Sequence, residues 1–186
     1  RQALMMAIDA EEILDTVYNG FGEVNDSYNC SYDIEGANAL LDEMGMIDVD
    51  GDGYRETPSG KPLQWQIWNY AEANDIIPVS ELCVEFWSEI GLKANVYTTE
   101  STLLASSQEA NEIPMRVAWI HSTQLWHYQD WFTPSWAPLW NNWVAKGGLS
   151  GAETAASLLE PPQDYKDFRL MIDSLMTVDP ETAVNE

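Results

Sequence analysis

The chain has 186 residues, 45% of them apolar and nine of them tryptophan, enough to bury one core or two small ones and too apolar for extended disorder. Against 31 Asp and Glu stand 8 Lys and Arg, a formal charge of −23, and such a field repels nucleic acid and anionic membrane surfaces. No apolar run nears the ~20 residues that span a bilayer, and Cys30 and Cys83 have no metal-ligand spacing, so both read as buried or incidental thiols.

The chain opens without Met inside a helical pattern and closes on "DPETAVNE" with no terminal element. The expectation is therefore a piece of a larger protein. Leu4, Met5 and Ile8 give residues 2–8 a short helical face. Asp9 can cap a second helix, in which Glu11 and Glu12 suit the positive N-terminal dipole and Gly20 follows as the stop. Asp33 opens a third, with Ala37, Leu40, Leu41 and Met44 on one face and Gly45 beyond it.

"PLQWQIWNY" (62–70) alternates like a strand, and "LKANVYTT" (92–99) reads as another. Between them Asp75 to Ile90 holds Val79, Leu82, Cys83, Phe86 and Ile90 at helical spacing, with Pro78 in the first turn and Gly91 at the end. Strand, helix, strand predicts a parallel pair joined by a crossover. "STLLASSQEAN" reads as a short helix and "MRVAWI" (115–120) as a third strand. Residues 121–148 are rich in tryptophan and proline without a clean period, and a trailing helix follows over 162–177. The fold class is α/β, a mixed sheet with flanking helices in a single lobe over 1–186.

Three groups of residues could carry chemistry. In "DVDGDGYRE", Asp48, Asp50, Asp52 and Gly53 fit positions one, three, five and six of a helix-flanked calcium loop. Position twelve, which needs a bidentate Glu, is Ser59, and a strand follows in place of a helix. The favoured reading is an Asp-rich turn in which carboxylates accept backbone N–H groups. The alternative is a looser calcium site using Asp48, Asp50, Asp52 and Glu56. His121 and His127, six residues apart, match no zinc pattern and read as hydrogen-bonding or packing residues. No phosphate-binding loop, dinucleotide fingerprint or nucleophile elbow is present, so the chain reads as non-catalytic and without a resident cofactor.

The third group is aromatic: Trp119, Trp126, Trp131, Trp136, Trp140 and Trp143, with Tyr128 and Phe132 among them. At least half are expected to fill core. Those that follow the third strand fall where open α/β sheets bind ligands, and indole faces stack on sugars or cover peptide side chains. Residues 121–148 are therefore the expected ligand-facing segment.

Three stretches, in order, resemble the family 5 extracellular solute-binding proteins of bacterial ABC importers, the oligopeptide, dipeptide and nickel type. They are "RQALMMAIDAEEILDTVYNGFG", "YDIEGANALLDEMGMIDVDGDGYRETPSGKPLQWQI" and "ELCVEFWSEIGLKANVYTTE". The resemblance implies one lobe of a two-lobe, type II periplasmic-binding-protein-like fold that closes over its ligand. It also implies an ABC permease as partner and an extracellular or periplasmic location, with lipid-anchored attachment through a segment outside this chain. Nucleic acid has no place in it.

In peptide-binding members a G-W-x-x-D stretch supplies a cleft Trp and an Asp that pairs with the peptide amine. Here "AWIHS" puts Trp119 on that Trp and Ser122 where the Asp would be. Ligand contacts are expected from Trp119, His121, Ser122, Trp126 and Trp131. The ligand implied is an oligopeptide, or an oligosaccharide given Ser122 and the indoles. A secreted carbohydrate-active enzyme and a calcium-dependent structural module are the readings of another class.

Overall fold

The computed structural model describes residues 1–24, 31–119, 137–151 and 158–175. They belong to two compact units, one of residues 1–104 and 114–118, the other of 105–113 and 119–186.

The first unit begins with α1 (Gln2–Met6) and α2 (Ala10–Tyr18). Asp9 caps α2 as its position predicts, accepting from the N–H groups of Glu11 (3.1 Å) and Glu12 (3.0 Å). The left-handed stop falls first on Asn19 (φ 52°) and continues through Gly20, whose N–H closes on the Leu14 carbonyl at 3.0 Å. Asp33 caps α3 (Ile34–Glu43) through the N–H of Gly36, 2.8 Å away. A Cβ at Gly36 would meet Asp33 Oδ2 at 2.3 Å and the Met6 methyl at 2.6 Å, so this cap requires glycine.

Strand β1 (Gln64–Tyr70), helix α4 (Ile76–Glu89) and strand β2 (Lys93–Thr99) form the predicted parallel unit, with Gln64 opposite Lys93 and Tyr70 opposite Thr99. Helix α5 (Ser101–Glu109) leads from β2 towards β3 (Met115–Arg116), which pairs with the other edge of β1, giving the order β2-β1-β3. The strand expected over 115–120 is thus shorter: residues 117–119 are not part of it and Ile120 lies outside the described residues. The β1–β2 ladder continues one residue past Tyr70, the Ala71 N–H donating to the Thr99 carbonyl at 3.0 Å.

Alternation in β1 sends Ile67 and Trp65 to the face covered by α1, α3 and α4, where Ala3, Ala7, Ala37, Leu41, Cys83, Trp87 and Ile90 complete the core. Trp65 meets Trp87 edge-on at 5.7 Å, and the Trp87 indole donates to the Leu4 carbonyl at 2.9 Å, tying α4 to α1. Burial pushes the Cys83 thiol up to about 11, so it stays protonated and unreactive at neutral pH. Burial, and then the Asp75 carboxylate that its hydroxyl meets at 3.4 Å, raise the Tyr18 phenol as well.

Within the second unit, the described part of the aromatic segment is ordered helix. Pro138 opens α6 (Pro138–Ala145), on which Trp143 is buried. Helix α7 (Gln163–Leu175) is the predicted trailing helix, with Tyr165 and Ile172 buried. Trp140 packs on Tyr165 at 5.1 Å, and the Lys166 ammonium lies 4.9 Å over the Trp143 ring. Gly148 is required beside that ring, because a Cβ there would come within 2.4 Å of it.

The contact that locks the first unit comes from Arg55. Its Nε donates to the Ile90 carbonyl (2.8 Å), Nη2 to Asn38 Oδ1 (2.8 Å), and Nη1 to the Met46 carbonyl and Asp42 Oδ1. Its backbone N–H reaches the Gly91 carbonyl at 2.7 Å. One side chain thus ties α3, the loop after it and the end of α4. Asp42 is 61% exposed, so the ion pair itself contributes about 0.5 kcal/mol, and the carbonyl contacts carry the rest. In urea unfolding, Arg55→Lys is expected to cost about 2–4 kcal/mol and Asp42→Asn under about 1 kcal/mol. Equal losses from the two would show that the ion pair dominates.

Candidate functional site

All three strands run parallel, so their carboxyl ends lie together. The strand order reverses at β1, the arrangement in which open α/β sheets place a ligand crevice outside those ends. At this end β1 finishes on Asn69 and Tyr70. Asn69 is buried, its amide donating to Ser80 Oγ (2.8 Å), which donates on to the Ile76 carbonyl (3.0 Å), so β1 and the start of α4 are pinned together. Tyr70 carries the Arg116 guanidinium 5.1 Å from its ring centroid, and Trp68 packs on Tyr97 at 4.5 Å on the same face. Two connections depart here, through Glu72 and Asp75 into α4 and through Glu100 into α5.

Of the predicted ligand contacts, Trp119 is described: it follows β3 by three residues and is 49% exposed. His121, Ser122, Trp126 and Trp131 lie outside the described residues. Trp143, one of the same run, is core, as the expectation for half of the group requires.

The acidic loop is fully described, and it forms the Asp-rich turn. Asp48 accepts from the N–H groups of Gly51 (2.6 Å) and Gly53 (2.9 Å), Asp50 from Asp52 (3.1 Å), and Asp52 from Tyr54 (2.8 Å). Glu56 is buried and accepts from Val49 at 2.7 Å. Gly51 and Gly53 take φ of 81° and 92°, values that need glycine there. Ser59 sits in the next turn, its hydroxyl 2.9 Å from that of Thr57. One oxygen from each of Asp48, Asp50, Asp52 and Glu56 still falls within 4.8 Å of the others, so these are the residues that would meet a hard cation.

A small parallel sheet with helices against one face and a pinned carboxyl end is the architecture of one lobe of an α/β binding protein. The chain belongs to the bacterial extracellular solute-binding proteins, family 5, whose middle-region pattern matches residues 1–143. Family 5 proteins are binding proteins of ABC importers and are extracellular or periplasmic. Among the described residues no helix is long and apolar enough to cross a membrane.

Three solved structures share the fold. The oligopeptide-binding protein OppA is 24% identical, with a TM-score of 0.74 over 98% of this chain and 33% of its own. The periplasmic oligopeptide-binding protein of an oligopeptide ABC transporter from Thermotoga maritima is 18% identical, with a TM-score of 0.65 over 98% and 36%. The periplasmic binding protein MelB from Agrobacterium fabrum, in complex with stachyose, is 18% identical, with a TM-score of 0.67 over 98% and 29%. This chain spans about a third of their length. No curated protein matches it.

Asp48 serves two backbone N–H groups, so Asp48→Ala should lower stability by about 1 kcal/mol. The loss should be the same in EDTA and in millimolar calcium, read as Tm by calorimetry. A Tm that falls in EDTA for the parent sequence, but not for Asp48→Ala, would make the loop a calcium site.

Proposed function

We propose that the chain is a ligand-facing lobe of the solute-binding component of an ABC importer, one that captures oligopeptides between two lobes and delivers them to the permease. The observation that carries this is the reach of the family pattern, which runs to residue 143, through the third strand and the tryptophan-rich segment beyond it. The parent protein would be held at the cell envelope by a lipid anchor and would present its cleft to the outside. Trp119, with half its surface exposed, is the described contact residue, joined by His121, Ser122, Trp126 and Trp131. Two or three indole faces at about 0.5–1.5 kcal/mol each would add to apolar burial up to about half of the roughly 8 kcal/mol that micromolar capture needs.

A second reading, an oligosaccharide ligand, is favoured by one feature. Ser122 stands where peptide-binding members carry an Asp for the peptide amine, and a hydroxyl residue in a tryptophan-rich stretch of sequence suits a sugar ring.

Both readings predict quenching of tryptophan emission when the intact two-lobe protein binds its ligand. Titration with peptides of three to nine or so residues should give saturable quenching with Kd near ~1 μM. Saturation by β-linked oligosaccharides alone would transfer the assignment to sugars. Silence with both would remove the two assignments together.

A further inference from the structure

Asn19 is followed by Gly20, and no other asparagine in the sequence precedes a glycine. In that order an asparagine can modify itself. The glycine nitrogen attacks the asparagine side-chain carbon Cγ, and glycine has no Cβ to obstruct the approach. The N–H proton passes to solvent base, a bond forms between Gly20 N and Asn19 Cγ, and the Cγ–Nδ2 bond breaks. The side-chain nitrogen takes a proton from solvent and leaves as ammonia, and a cyclic imide remains. Water then opens the ring at Cγ, giving aspartate, or at the main-chain carbonyl, giving isoaspartate. Water is the only co-reactant, and nothing is oxidised or reduced.

The pair stands at the stop of α2, where Asn19 and Gly20 are both exposed and both left-handed, at φ of 52° and 74°. The nucleophile, however, is engaged. The Gly20 N–H donates to the Leu14 carbonyl at 3.0 Å, and the next N–H, that of Phe21, donates to the Tyr18 carbonyl at 2.9 Å. While this closure lasts, the Gly20 nitrogen keeps its proton and is turned towards the helix end, so the ring cannot form. The reaction has to wait for the helix to open.

Opening is easy for this helix. α2 has nine residues and none of them is buried, and a helix so short does not persist in water without tertiary support. Its support is slight: the Asp9 cap at one end, Ile13 packed against the core, and the Tyr18 hydroxyl 3.4 Å from Asp75 at the other. Elements held by so few contacts open locally long before the unit around them unfolds.

We propose that Asn19 is a site of spontaneous deamidation paced by the opening of α2: the closed helix protects it, and the open helix reacts as a free chain does. Isoaspartate at this position lengthens the main chain by one carbon between residues 19 and 20, so the same closure on Leu14 cannot be remade.

The test incubates the intact two-lobe protein beside the free peptide DTVYNGFGE (15–23) at mildly alkaline pH. Digestion and mass spectrometry follow the loss of the Asn19 amide, and an isoaspartate methyltransferase identifies the rearranged product. Asn19 should convert at least about 10-fold more slowly in the protein than in the peptide, yet faster than the buried Asn69. Asp9→Ala removes the cap at the far end of the helix, leaves the reacting groups untouched, and should raise the Asn19 rate about 5-fold. Asn19→Gly keeps a residue suited to the left-handed stop and should abolish conversion in this segment.

Conversion as fast in the protein as in the peptide would overturn the proposal, because closure on Leu14 would then protect nothing. An Asn19 rate unchanged by Asp9→Ala would overturn it too, since α2 would not set the pace. An Asn19 still intact once the peptide has fully converted would show that it is no site at all.

Discussion

The first unit depends on one largely shielded guanidinium. Arg55 lies inside the corner formed by α3, the loop after it and the end of α4, where Ile90, Met46, Asn38 and Asp42 present oxygens to it. Those carbonyls belong to chain ends: Ile90 is the last residue before the left-handed Gly91, and Met46 follows the stop of α3 at Gly45. Carbonyls at helix ends have no partner within their own helix and must find a donor elsewhere. A planar fork with five N–H groups can serve several at once, which an ammonium cannot. Without Arg55 the corner would hold several unpaired acceptors, each costing about 1–3 kcal/mol when buried.

The acidic turn gains its meaning from this neighbour. Its aspartates fold the chain back on itself within six residues, with glycine at the two left-handed positions, and deliver Arg55 to the corner. Glu56, next in sequence, holds Val49 across the same turn and bridges to Pro62 on the way into β1. The carboxylates act first on backbone N–H groups, and an incoming cation would compete for oxygens already engaged. A run of aspartates is legible as a turn or as a metal loop on spacing alone. What separates the two is position twelve and the element that follows, and Ser59 and β1 both point to the turn.

Helix starts were the most legible feature of this chain, because a capping aspartate and its N–H partners are local: Asp9 and Asp33 do what their positions predict. The parallel β1–α4–β2 unit was legible from the change of period between 62 and 99. The length of β3 was not, since pairing depends on a partner strand distant in sequence, and only Met115 and Arg116 find theirs, at Ile67 and Trp68. Trp140 and Trp143 were aperiodic by eye but lie on a helix opened by Pro138, where their partners Tyr165 and Lys166 come from more than twenty residues later. Arg55 was invisible as a keystone: a single arginine has no period, and its acceptors come from residues 38, 42, 46 and 90. Of the candidate ligand contacts, Trp119 alone falls among the described residues.

The two ends of the sheet are built differently. Near the amino end, Arg55 shares its guanidinium among four oxygens, Glu56 is buried and accepts from Val49, and the exposed Lys93 lies over the Tyr54 ring. Interactions there are short and mutually supporting, as a stable scaffold requires. At the carboxyl end, Asn69 and Ser80 fix the backbone from below while Glu72 and Glu100 stay in solvent. A binding lobe needs this division. A ligand gains little from a group already paired, because exchanging one partner for another returns almost no free energy. It gains most from exposed charge and apolar surface held by a rigid floor, since ordering a loose site would consume the affinity it supplies. The contacts that Arg55 draws together at one end and the Asn69–Ser80 pair at the other thus give a rigid floor to the connections that leave the carboxyl ends of the strands.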